Sequence, residues 1–169
     1  MAVIALIAVG LTGATGRGDA PREAPGAKPN GPQEVEVVAV YLDPQVQAPK
    51  VILERKRDRR RFDMVIGLAE MNGIAIPLNG VTPPRPLTHD LFLTLFGRLK
   101  VSLTRVTITD LRDDIYYATL HLTSATGEMT LDSRPSDAIA LAIRARAPVL
   151  VEDRVFDKAG QPGPRRPSI

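Results

Sequence analysis

The order of elements predicts an α+β fold: a single compact domain with a mixed β-sheet packed by several helices. Three observations carry this expectation. Runs of period-two or β-branched character dominate from residue 34 to residue 133, helical patterns interrupt them, and further helices are grouped late around one short apolar run. Aromatic residues make up 4% of the chain and tryptophan is absent, so the core must come mainly from Val, Ile, Leu and Ala. There is no cysteine, which excludes a disulfide frame, thiolate metal sites and a cysteine nucleophile. With only His89 and His121, one chain cannot form a three-histidine zinc site.

The chain opens with MAVIALIAVGL, which is apolar but shorter than the roughly 20 residues a spanning helix needs. It matches the apolar region of a secretory signal, without the basic residues that usually precede it. Export is the expectation, with the cytoplasm as the alternative. The Gly-, Pro- and Ala-rich stretch that follows reads as a tether. Residues 1–33 are therefore assigned to signal-like segment and tether, 34–160 to the domain, and 161–169 to a disordered basic tail.

EVEVVAVYLD is read as the first strand, KVILER as the second and RFDMVIG as the third. Between the last two lies ERKRDRRR, with six basic and two acidic residues. It is read as an exposed hairpin loop or as a phosphate-contact patch. LAEMNGIAIPLNG starts helical, with Gly73 and Pro77 expected to limit its length. RPLTHDLFLTLFGRL is a stronger helix. Thr88 is the expected N-cap, Asp90 favours the helix dipole, and Leu87 with Phe92 has the spacing of a hydrophobic staple. Leu91, Leu95 and Leu99 with Phe92 and Phe96 form its apolar face. VSLTRVTITDL and IYYATLHLTS are read as a hairpin turning at Arg112-Asp113-Asp114. His121 falls with Thr119 and Thr123 on the face expected to be solvated. GEMTLDS is a further strand. A helix starts near Pro135, followed by the strand PVLV and the short helix DRVFDKAG.

The net charge of +3 invites a nucleic-acid reading, but its distribution weakens it. Residues 34–160 hold 17 Lys and Arg against 17 Asp and Glu, so the surplus sits in the tails.

Two stretches carry candidate chemistry. In DSRPSDAIALAIRA, Pro135 suits the first helical turn, Ser133 or Ser136 is a candidate cap, and Asp137 is favoured by the dipole. A well-started packing helix explains most of this, but not Asp132 together with Arg134. Two carboxylates, one at a strand end and one at a helix start, suit a hard divalent cation. In RPLTHDL, His89 is a candidate general base with Asp90 adjacent, unless Thr-His-Asp simply opens a helix.

VIGLAE, RPLTHDL and above all DSRPSDAIALAIRARAPVLVEDRVFDKAG resemble the signature blocks of the bifunctional nuclease domain family, over residues 35–160. The resemblance implies a compact α+β domain acting on RNA and DNA. It marks Glu70, Arg85, Thr88, His89, Asp90, Asp132, Arg134, Pro135, Ser136 and Asp137. The expected reading is a metal-assisted phosphodiesterase. Asp132 and Asp137, with Glu70, would hold Mg²⁺ or Mn²⁺; His89, with Asp90 in the catalytic set, would move a proton; Arg85 and Arg134, with Thr88 and Ser136, would hold substrate. The alternative is a non-catalytic binding or regulatory module of the same fold. Expected partners are RNA and/or DNA and further copies of the chain, with no stable membrane span.

Overall fold

The computed structural model describes residues 31–159. The signal-like segment, nearly all of the tether and the basic tail lie outside them. In chain order the elements are β1 (Gln33–Asp43), β2 (Ala48–Arg55), β3 (Arg61–Val65), α1 (Leu68–Leu78), α2 (Thr88–Arg98), β4 (Ser102–Arg112), β5 (Ile115–Ser124), β6 (Gly127–Ser133), α3 (Pro135–Ala145), β7 (Val149–Val151) and α4 (Asp153–Ala159). The sheet order is β3-β2-β1-β7-β4-β5-β6. All pairs are antiparallel except β4 with β7, so this is the mixed sheet of an α+β fold. None of the described helices is long and apolar enough to cross a membrane.

The central strand is the shortest. Val149–Val151 of β7 pair with Gln33–Val35 on one side and Val106–Ile108 on the other. The helix α3 carries the chain from the β6 edge back to that centre. Ala138, Ala140 and Ala142 are fully buried, and Ala140 faces Gly73 of α1, so small side chains let α3 pack closely on more than one side. The expected hairpin is present: Asp113 and Asp114 have φ of 49° and 62°, the pair of left-handed residues that matches strand twist in a two-residue turn.

The sheet coils strongly. Four strands separate β3 from β5 in the sheet order, yet Phe62 stacks on Tyr116 at 5.9 Å and the Tyr116 hydroxyl donates to the Asp63 carbonyl at 3.3 Å. Phe156 of α4 meets Phe62 edge-on at 5.1 Å and closes the core there. Burial pushes the Tyr116 hydroxyl up to about 12.

Four local expectations need correction. The helix α1 runs through Gly73 and Pro77 to Leu78. Pro77 has no N–H for the Gly73 carbonyl one turn back, and that carbonyl accepts instead from Arg144 Nη1 at 2.6 Å. In α2 the cap is Leu87, not Thr88, and the Asp90 carboxylate accepts from the Leu87 N–H at 2.8 Å. In α3 the cap is Arg134, without a side-chain cap bond from either serine. His121 is half-buried, with Nε2 3.1 Å from the Thr107 hydroxyl, and burial first, then Arg105, lowers its pKa.

The ERKRDRRR segment forms the end of β2, a turn and the start of β3. Its cations are largely committed within the chain. Arg55 is buried and donates to both Asp58 oxygens at 2.7 and 2.6 Å and to Asp153 at 2.6 Å, with its guanidinium 4.6 Å from the Phe156 ring centre. Lys56 pairs with Glu34, Arg60 with Asp157, and both Arg59 and Arg61 with the fully buried Glu54. The segment thus ties the β2–β3 hairpin to α4 and β1. Removing a buried cation strands its carboxylates, so Arg55→Ala should cost about 2–3 kcal/mol, against less than about 1 kcal/mol for the exposed pair lost in Lys56→Ala. Urea denaturation of the two variants measures the difference.

Candidate functional site

The N-termini of three helices converge on Arg134. Its Nε donates to Asp137 Oδ2 at 2.7 Å and its Nη1 lies 2.8 Å from Glu70 Oε1. The other Asp137 oxygen is 3.2 Å from His89 Nε2. The chain Glu70–Arg134–Asp137–His89 therefore joins α1, α3 and α2. Burial pushes the Asp137 carboxyl up, but the hydrogen bonds from Arg134 and His89 outweigh it and hold it below the usual range. The Arg134 side chain is 65% exposed, while that of His89 is 14% exposed.

Two glycines make room for this chain. A Cβ at Gly73 would lie 2.9 Å from His89 Cε1 and 3.2 Å from Nδ1, so the imidazole rests directly on the α1 backbone. A Cβ at Gly67 would overlap the Glu70 carboxylate, which folds back over the start of α1.

Behind the site sits Arg144 of α3, whose side chain is 7% exposed. It donates to Asp90 at 2.7 Å, to the Gly73 carbonyl at 2.6 Å and to the Ala140 carbonyl at 2.9 Å. Asp90 is thus a positioning residue: one oxygen caps α2 and the other binds Arg144. Burial works against its ionisation, but the Leu87 N–H and Arg144 outweigh it and lower its pKa. Sequence reasoning missed Arg144. The signal available was Pro77, which leaves the carbonyl of Gly73 without its helical donor.

Three clefts open around Arg134 and share it as a wall. The first, of about 460 Å³, runs along Glu70, Gly73, Thr88, His89 and Asp137. The second, of about 360 Å³, runs along Gly67, Glu70, Tyr116 and the buried Ser136. The third, of about 390 Å³, runs along His89, Phe92, Leu131, Asp132 and Asp137. Arg85 lies on the exposed loop before α2, outside the Glu70–His89 chain.

The pair expected to hold a metal is differently placed. Asp132 stands opposite Thr119 and Leu131 opposite Leu120, so the Asp132 side chain leaves β6 on the face away from Leu131. No hydrogen bond or ion pair joins it to Asp137 among the described residues, and no three His, Asp or Glu residues there are grouped as a metal site. The carboxylates that do face each other are Glu70 and Asp137, and the Arg134 guanidinium bridges them. A divalent cation needs that same position. As arranged, this donor set does not fit Mg²⁺ or Mn²⁺.

The model of the bifunctional nuclease domain matches residues 51–163, which include every member of this site. The chain belongs to that family. It is 37% identical over 127 residues to the uncharacterized protein Rv1829 of Mycobacterium tuberculosis, covering 75% of this chain and 76% of that one. It is 32% identical over 81 residues to bifunctional nuclease 1 of Oryza sativa subsp. japonica, covering 46% of this chain and 24% of the rice protein. The fold and family expected from the motif blocks are thus met.

Two outcomes follow from this geometry. An alanine inside a helix normally gains about 0.5–1 kcal/mol over glycine. At Gly73 that gain should vanish and the His89 imidazole should shift, read by melting temperature and by the imidazole NMR signals. Asp90 and Asp137 both have folded-state pKa values below their ordinary 3.8, so each stabilises the fold above that pH and loses its contribution as pH falls through the lower value. The melting temperature should therefore drop as pH falls below about 4, and Asp90→Asn should flatten that slope.

Proposed function

We propose that this chain hydrolyses phosphodiester bonds of RNA, DNA or both, with the phosphate held at Arg134. What carries this reading is the Glu70–Arg134–Asp137–His89 chain opening on solvent, in a member of the bifunctional nuclease domain family. A guanidinium has five N–H donors. Glu70 and Asp137 engage one each, which leaves three donors of an exposed Arg134 for phosphate oxygens.

Beside it, His89 is set up as a base. With its Nε2–H donated to Asp137, Nδ1 is the basic nitrogen. In this reading Nδ1 takes the proton of the attacking water. The oxygen of that water bonds to phosphorus, the ester P–O bond breaks, and His89 returns the proton to the leaving oxygen. Arg134 offsets the charge that gathers on the phosphoryl oxygens. Asp137 orients the imidazole. Thr88 and Ser136 line the clefts on either side of Arg134, where the flanking chain would pass. No step is routed through a metal ion.

Labelled single-stranded RNA and DNA, each with Mg²⁺, Mn²⁺ or EDTA, test the reading. His89→Asn should lower kcat/KM by about 100- to 10,000-fold with little change in melting temperature. Arg134→Gln should raise KM. Equal cleavage by both variants and the parent would place the activity elsewhere. A folded parent that cleaves neither substrate would overturn hydrolysis and favour the binding or regulatory module.

A further inference from the structure

Exposed apolar surface alone does not name its occupant. Leu91, Phe92, Leu95 and Leu99 of α2 are between 49% and 62% exposed, and four such side chains accept a helix, a lipid or a ligand alike. The second cleft beside Arg134 is different in kind. Ser136, the second residue of α3, lines it and is 7% exposed. Among the described residues its hydroxyl has no hydrogen-bond partner, neither as a helix cap nor across the core. A buried polar group without a partner costs stability, so the fold gains nothing from this hydroxyl.

We infer that this cleft is a nucleobase pocket, so that the chain distinguishes which base lies beside the phosphate at Arg134. Charge and lining select that ligand. Among the described residues that line the cleft, Arg134 is the one cation, whereas Glu70 and Asp114 bring two carboxylates. They would repel a second phosphate. An uncharged ring with N–H groups on its edge finds acceptors there instead. The remaining walls are apolar and include Ile66, Ile115, Tyr116 and Pro135. A sugar, with hydroxyls on several sides, would leave them unpaired against such walls. Ile115 is 53% exposed, apolar surface that a base would cover. The volume of about 360 Å³ falls in the range of small-ligand sites.

The Ser136 hydroxyl can donate to or accept from the base edge. A pocket with a buried polar group penalises the base that leaves it unpaired, which makes binding selective. The inference rests on the part of the proposed function that seats phosphate at Arg134, and not on hydrolysis.

Fluorescence anisotropy of the full chain with short, hydrolysis-resistant phosphorothioate strands tests it. The probes are four homopolymers, one for each base, and an abasic strand of equal length and charge. The abasic strand should bind about tenfold more weakly than the best of the four. The four should differ among themselves by about three- to tenfold. Ser136→Ala should keep the parent's melting temperature, because no hydrogen bond within the chain is lost. It should level the four affinities and leave the abasic one unchanged. Ile115→Ala should weaken the base-bearing strands alone. Equal binding of abasic and base-bearing strands, or equal binding of all four bases, would overturn the inference. A Ser136→Ala chain that melts well below the parent would assign the hydroxyl to the fold and overturn it too. If no strand binds, the phosphate seat at Arg134 falls and the pocket with it. Base-dependent binding without cleavage of unmodified RNA or DNA would overturn hydrolysis and support the pocket.

Discussion

A single buried guanidinium holds the three site-bearing helices in register. Arg144 binds the capping carboxylate of α2, the carbonyl that Pro77 leaves free in α1, and a carbonyl of its own helix. Each bond is charge-assisted, so each is stronger than a neutral hydrogen bond. Because α1 is fixed at Gly73 and α2 at Asp90, the His89 ring one residue away is pressed onto the Gly73 backbone. The position of His89, and hence its contact with Asp137, follows from how Arg144 is used. Lysine has one point charge and cannot satisfy the same divergent acceptors with a planar fork.

Much of the fold was legible because strands and turns obey local rules. The Asp113-Asp114 turn, the run of β-branched strands and the Pro135 helix start depend on neighbours in sequence. The misreadings share a cause: partners distant in the chain. ERKRDRRR forms the expected hairpin, but its phosphate-contact alternative stays open until Asp153, Asp157 and Glu34 are placed around it. Asp132 and Asp137 line one cleft, and the register of β6, which no local pattern announces, turns the Asp132 side chain to the face away from Leu131. Glu70 had only a minor place in sequence reasoning, yet it shares Arg134 with Asp137. The apolar repeat of α2 announces burial, but periodicity does not say by what.

The distribution of charge gives the site its character. The folded part is neutral in sum, and most cations near the β2–β3 turn are held by carboxylates. Arg134 is likewise engaged, but on only part of its donor set, and most of its surface faces solvent. Attraction of a polyanion therefore depends on a local arrangement rather than on a broad basic field. Such binding loses long-range steering and gains selectivity for geometry.

The placement of β7 bears on how the chain is made. Among the described residues, this three-residue strand alone links β1–β3 to β4–β6 in the sheet. It is the last of the described strands in chain order. Until residue 151 has left the ribosome, β1 and β4 both lack the strand that pairs with their inner edges. Their union requires β1 to wait for a partner more than a hundred residues downstream, a long-range closure of the slow kind. Translation, rather than local propensity, sets the earliest moment at which this protein can finish folding.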